Sequence, residues 1–416
     1  MQTELTPIAK GAIPLFDCDV HWAEPPTLWT ERAPAKFKNK VFEVKDKPNG
    51  AQCWFVGDRP IAMIGPAVVK KDMSKLLNTF TVPRYEDMAP ATSIPEAALL
   101  YMNDAGIGAE VMYPNVIGFG GQTLMAVFPD DHELRLWHVQ AYNDALVELQ
   151  KRGGNRILGQ AALPLWDIEA SVKELERTKK MGLTGIAMSD KPQNFGSPVL
   201  IDPAWDRFWE TCQELQIPVN FHIGSGVWEG DQSKFWKENE VGVYPDGRLN
   251  GPLCVFGALT NFLNNQFDVM NLILTGHLDK YPGIKYVSVE SGCGWAPFII
   301  QVMMYQWHEQ VSAAERAKFK RTPIEAFKEQ IFMTIYCEEY CNVDNYVTYF
   351  GADNLLFETD FPHPTSIYPH EDSPFKSAWE YADSVCRNIS AEDKAKILYK
   401  NAENLYGVKI ATTEAK

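Results

Sequence analysis

From Pro95 onward the chain alternates short apolar runs with longer segments of helical spacing. Ile94 to Ala105 predicts a helix. Asp131 to Arg152 predicts a second, with Leu134, Trp137, Ala141, Ala145 and Leu149 on one stripe and Gly153-Gly154 as its stop. Further helices are predicted over Ile168 to Met181 and after Asp202-Pro203, where Phe208, Trp209, Cys212 and Leu215 share a face. A long helical region runs to Leu278, another from Trp295 to about Phe319, and a last one from Ala391 to Tyr406. The apolar runs between them begin near Leu15, Gly108, Ile157, Leu183, Pro218, Ile284, Ile331 and Asn354, and each reads as a strand.

Eight short apolar strands separated by helices predict a parallel sheet covered by helices. Such a repeat over a chain of 416 residues is the pattern of a (β/α)8 TIM barrel, in the α/β class. The competing fold, an open doubly wound sheet, lacks its usual support, because no strand is followed by G-x-G-x-x-G or a phosphate loop. The expected organisation is one barrel domain over residues 1–416. Residues 22–95 form a long insertion after the first strand that caps the barrel, with a hairpin around Gln52 to Pro60. The βα loops are extended, above all Ile223 to Gly251, and residues 407–416 form a C-terminal tail.

The first strand, Leu15-Phe16-Asp17-Cys18-Asp19-Val20-His21, carries the first chemical signal. Strict alternation puts Leu15, Asp17, Asp19 and His21 on one face, and Phe16, Cys18 and Val20 on the other. Ionisable groups on a buried strand face need compensation, and a divalent cation supplies it, since Asp oxygen and His nitrogen are ordinary ligands. Other strand ends add to the set: His222 ends the fifth, Glu290 the sixth and Asp360 the eighth. In a parallel barrel every carboxyl end opens on one face, so these distant residues converge in one cup.

Composition narrows the function. Hydrophobic residues make up 45% of the chain, ample for a barrel core. The net charge of -15 argues against nucleic acid or an anionic membrane as partner. No apolar run is long enough to span a bilayer, and Met1-Gln2-Thr3-Glu4-Leu5 begins no secretory signal, so a cytoplasmic location is expected. The eight cysteines contain no C-x-x-C; Cys337 and Cys341, four apart, read as thiols in a core.

The motifs Asp19-Val20-His21 with Glu24-Pro25, Asn220-Phe221-His222, Glu290-Ser291-Gly292-Cys293-Gly294-Trp295-Ala296-Pro297 and Glu358-Thr359-Asp360-Phe361-Pro362-His363 together resemble the amidohydrolase superfamily. The nearest branch is the amidohydrolase 2 group, which includes aminocarboxymuconate-semialdehyde decarboxylase and the resorcylate-type decarboxylases. The resemblance spans nearly the whole chain. It implies a catalytic divalent metal (zinc, manganese or iron) held by Asp19, His21, His222 and Asp360. Two departures stand out. Strand one has Asp-x-His where many members have His-x-His, a harder site that tilts toward manganese or iron. Strand six has Glu290 where many members have a histidine. Ser189-Asp190-Lys191 puts no lysine at the end of strand four, so a carboxylated-lysine bridge is not indicated. Glu24 and Glu290 are further candidate ligands.

The expected activity is hydrolysis or non-oxidative decarboxylation of a small carboxylated, potentially aromatic, substrate. Asp360 would be ligand and proton acceptor, while Glu290 or His363 would orient water or exchange a proton. Trp22, Trp228, Trp295 and Phe361 adjoin the motifs and offer walls for a planar substrate. Two alternatives compete. One is an oxygen-dependent hydroxylase with an iron-type, dinuclear site. The other is a catalytically silent barrel subunit partnering an active paralogue. The resemblance implies an oligomer, either a homodimer or a hetero-oligomer with a related barrel subunit.

Overall fold

The computed structural model describes residues 13–226, 251–338 and 342–410. It holds β1 (Leu15–His21), a group of three strands β2 (Glu43–Asp46), β3 (Gln52–Val56) and β4 (Arg59–Met63), then β5 (Ile107–Tyr113), β6 (Ile157–Ala161), β7 (Gly185–Met188), β8 (Val219–His222), β9 (Tyr286–Val289), β10 (Ile331–Ile335) and β11 (Leu355–Phe357). The sheet order is β1-β5-β6-β7-β8-β9-β10-β11, parallel throughout. Helices such as Pro95–Ala105, His132–Arg152, Ile168–Met181 and Ala296–Gln310 return the chain between strands. The expected TIM barrel is the observed one.

Local chemistry sets the helix limits. Asp131 and Asp167 accept the backbone N–H of Leu134 and Ala170, one orphan donor at each N-terminus. Two predicted helices are broken where local caps outcompete continuity. Ser312 and Glu315 form a capping box that divides Trp295 to Phe319 into Ala296–Gln310 and Ala313–Arg316. Gly276, with a φ of 76°, separates Gly251–Leu274 from His277–Lys280. The predicted hairpin is a three-stranded antiparallel sheet, β2-β3-β4, lying between β1 and the helix that precedes β5.

The barrel interior is filled by Phe16, Cys18, Ala109, Val111, Tyr113, Leu158, Ala187, Val287, Val289 and Leu356. Its floor is closed by the C-terminal segment. Tyr406 stacks on Phe16 at 6.1 Å and donates its hydroxyl to Asn220 Oδ1 at 2.8 Å. Ile410, within the expected tail, is buried in the same cluster.

Strand β1 departs from the expected pleat. Asp17 is opposite Glu110 and Val20 opposite Met112, so three steps on β1 match two on β5. That extra residue is a bulge. Phe16 and Cys18 fill the barrel, while Leu15 and Val20 belong to the layer between sheet and helices. Asp17 therefore does not share a face with Asp19 and His21. It accepts the backbone N–H of Thr359 at 2.8 Å and the Thr359 hydroxyl.

The seam between β1 and β11 is closed just beyond the strands. Asp360 N–H donates to the Asp19 carbonyl at 2.9 Å, and His21 N–H to the Phe361 carbonyl at 2.8 Å. The two stretches bearing candidate ligands are thus stitched to each other by main-chain bonds.

Candidate metal centre

Asp19 and His21 leave the end of β1, His222 ends β8, Glu290 follows β9, and Asp360 and His363 lie in the loop after β11. The barrel gathers all six. Donor atoms of Asp19, His21, His222 and Glu290 lie within 4.8 Å of one another, and so do those of His21, Glu290, Asp360 and His363. His21 Nε2 is 3.3 Å from Asp19 Oδ1, 3.2 Å from Asp360 Oδ1 and 3.1 Å from His222 Nε2. His222 Nε2 is also 3.3 Å from Asp19 Oδ2 and 3.5 Å from Glu290 Oε2.

The imidazole of His222 is oriented by its other nitrogen. Nδ1 lies 2.7 Å from the Ile223 carbonyl, an acceptor only, so it carries the hydrogen and leaves the Nε2 lone pair facing the cluster. Both Asp19 oxygens and Asp360 Oδ1 are buried and accept no hydrogen bond. Buried carboxylate oxygens without donors, ringed by imidazole nitrogens, are costly unless a cation lies among them. The donor set of carboxylate and imidazole therefore fits a divalent metal.

Charges in the cup are pushed apart. Burial alone would raise the Asp360 carboxyl, but the imidazoles of His363 and His21 beside it hold it well below the usual carboxylate range. Asp19 is likewise held down against burial, by His222 and His21. Glu290 goes the other way: burial first, then Asp360, Asp19 and Glu358, raise its carboxyl well above the usual value. Its backbone N–H is held by Thr334 Oγ1 at 3.0 Å and by Glu358 Oε2 at 3.2 Å. Two carboxyls held low beside one held high is a division suited to acid–base work.

Glu24 is not brought into either cluster. Its carboxylate accepts the backbone N–H groups of Asn115 at 2.8 Å and Val116 at 3.0 Å, in the loop after β5. Of the expected aromatic walls, Trp22 and Phe361 are core residues; Phe361 stacks on Tyr101 at 4.3 Å. Trp295 is part-buried and bonds the Gly292 carbonyl. Trp228, most of the loop Ile223 to Gly251, and Cys341 lie outside the described residues. Cys337 is exposed, not in a core. Asp190 and Ser189, at the end of β7, bond Ser225 and its carbonyl.

Several residues at the site carried no signal in the sequence. Phe119 stacks on His222 at 3.8 Å with an interplanar angle of 15°. Tyr336, just after β10, donates to the Thr365 carbonyl at 2.8 Å, and the Thr365 hydroxyl donates to Asp360 Oδ2 at 2.9 Å. Asn115 Oδ1 lies 3.1 Å from His363 Nε2. Their types are unremarkable in loops, and only position at a strand end distinguishes them.

Comparison with known proteins places these features in context. A family described as amidohydrolase matches residues 16–408. The gamma-resorcylate decarboxylase of Polaromonas sp. (strain JS666 / ATCC BAA-500) is 28% identical over 272 residues, 64% of this chain and 74% of that protein. Among solved structures, an amidohydrolase from Mycobacterium avium subsp. paratuberculosis K-10 superposes with a TM-score of 0.69 at 21% identity, covering 95% of this chain and 98% of the other. A dihydroxybenzoic acid decarboxylase from Polaromonas sp. JS666, solved with bound manganese and the inhibitor 2-nitroresorcinol, gives a TM-score of 0.59 at 17% identity, covering 95% and 97%. No helix among the described residues is long and apolar enough to cross a membrane.

Proposed function

The chain belongs to the amidohydrolase family, and from that premise we propose that it is a divalent-metal-dependent decarboxylase of small hydroxylated aromatic carboxylates. The observation that carries this reading is the buried cup in which Asp19, His21, His222 and Glu290, and again His21, Glu290, Asp360 and His363, bring donor atoms together, with both Asp19 oxygens and Asp360 Oδ1 accepting no hydrogen bond. The gamma-resorcylate decarboxylase relative supports the substrate class, and the manganese in the structural neighbour supports a manganese-type ion. These named decarboxylases favour the lyase over the oxygen-dependent hydroxylase and the silent subunit.

Asp19, His21, His222 and Asp360 would hold the ion; when bound, it polarises a coordinated oxygen and neutralises carboxylate charge. The chain's own residues do the rest. Phe119, flat against His222, offers a ring face for a planar substrate. Glu290, its carboxyl pushed up by burial beside Asp360, Asp19 and Glu358, delivers a proton to the ring carbon that bears the carboxylate. The bond from that carbon to the carboxylate then breaks, its electron pair returns to the ring, and carbon dioxide leaves. One proton is taken up for each carbon dioxide released. Hydrolysis is the second reading, favoured by the same Glu290, which in its ionised form would accept a proton from water.

The test is turnover of manganese-loaded protein on hydroxybenzoate and carboxyvanillate substrates under nitrogen, with carbon dioxide measured. Release of carbon dioxide without oxygen is the expected result. Turnover confined to amides or lactones would replace this reading with the hydrolytic one, and dependence on oxygen would overturn both.

A further inference from the structure

We infer that Asn115 is a positioning residue that fixes His363 as the Nε2–H tautomer and so turns the Nδ1 nitrogen to the metal centre. This rests on reading the cup as the reaction centre.

Asn115 stands two residues beyond β5, after Pro114, and its side chain is pinned at both ends. Nδ2 donates to the Trp22 carbonyl at 2.9 Å, an oxygen that demands a donor. That contact decides which end of the amide is nitrogen. The remaining end, Oδ1, faces His363 Nε2 at 3.1 Å. An amide oxygen only accepts, so Nε2 carries a hydrogen. Nδ1 is then the nitrogen aimed at the cluster, 2.9 Å from Asp360 Oδ1, and with a cation bound in the cup it would present its lone pair there.

Everything else about His363 is already set. Its backbone N–H donates to the Asp360 carbonyl at 2.9 Å, and its ring lies against that of His21, with centroids 3.5 Å apart and planes at 16°. Ring position is therefore fixed by packing; the tautomer is not. Asn115 supplies that missing constraint. Its own backbone is anchored in turn by the wholly buried Glu24 carboxylate, through the N–H groups of Asn115 and Val116. Glu24 thus acts on the centre two steps removed, through Asn115 and then His363. Partners of this kind orient imidazoles at metal sites, and their loss typically lowers activity about 10–100-fold.

The experiment compares wild type, Asn115→Leu and Asn115→Asp, each loaded with zinc and carrying 15N-labelled histidine. Long-range proton–nitrogen spectra report the tautomer of each ring, and His363→Gln identifies the relevant signals. Wild type and Asn115→Asp, which keeps an acceptor toward Nε2, should show the Nε2–H pattern at His363. Asn115→Leu should show the Nδ1–H form or a mixture, with metal content and circular dichroism unchanged. On an accepted substrate, Asn115→Leu should lose about 10–100-fold in kcat, and Asn115→Asp should regain most of it. A wild type already in the Nδ1–H form, or an Asn115→Leu spectrum identical to wild type, would overturn the inference. The spectra need no substrate, so absent turnover in wild type would count against the proposed reaction and leave the tautomer result standing.

Discussion

Glu290 and Asp360 share a backbone conformation that residues with a side chain avoid, with φ of 56° and 58°. Such strain is held only where surroundings enforce it, and here Thr334 and Glu358 hold the Glu290 N–H while Asp19 holds that of Asp360. The turn lifts each carboxyl off its strand end and into the cup. Their carboxyls are pushed in opposite directions, Asp360 down by the imidazoles beside it and Glu290 up by burial. Replacing Glu290 by Gln should keep the metal and lower turnover by roughly 10²–10⁴, the contribution of a positioned acid–base group. Metal analysis beside steady-state kinetics checks this; metal lost along with activity would make Glu290 a ligand. His222→Ala removes the imidazole whose tautomer the Ile223 carbonyl sets. It should abolish bound metal while circular dichroism stays native, and unchanged metal content would remove His222 from the site.

At the scale of elements, barrel strands were legible because each is a short apolar run closed by polar or turn residues, and strand ends carry the ionisable groups. His222 after Phe221 and Asp360 after Thr359 needed no more than that rule. Strand β1 was misread at Asp17 because a period of two assumes an unbroken pleat. A bulge inserts one residue and reverses every side chain behind it. Asn115 and Phe119 were invisible for a different reason: neither ionises, and their roles come from what the fold sets beside them. The floor of the barrel is a further case, since nothing in Gly108 announces a partner some 300 residues away. A Cβ placed on Gly108 would come within 2.8 Å of Ile410. Gly108→Val should therefore overpack the floor and destabilise the protein by about 1–3 kcal/mol. Adding Ile410→Ala should recover part of the loss in denaturant titration, whereas equal instability in single and double variants would place the strain elsewhere.

Across the whole molecule, the barrel pays for closing its seam with buried acid. Asp17 takes the Thr359 N–H and hydroxyl where a strand carbonyl would ordinarily serve, and Glu110 lies opposite it on β5. Both carboxyls are wholly buried. Burial is the chief cause that pushes Asp17 up to about 8, against the Thr359 hydrogen bonds that lower it. Glu110 is also pushed up to about 8, first by burial and then by Asp17, with Arg156 opposing. In the folded state near neutral pH these groups hold protons that the unfolded chain has released, since unfolded carboxyls titrate near 4. The folded state binds more protons, so stability falls as pH rises. The contribution is fully present below the unfolded value of about 4 and is lost progressively through about 8. Asp17→Asn keeps an oxygen for Thr359 and removes one titration. Its unfolding free energy should therefore fall less steeply than that of wild type between pH 5 and 8, by a difference on the order of a few kcal/mol across that window. Denaturant titrations of metal-free protein at several pH values measure the two slopes. Parallel slopes would mean that Asp17 is ionised at the seam, and that closure of β1 on β11 rests on a charged hydrogen bond to Thr359 instead of a protonated carboxyl.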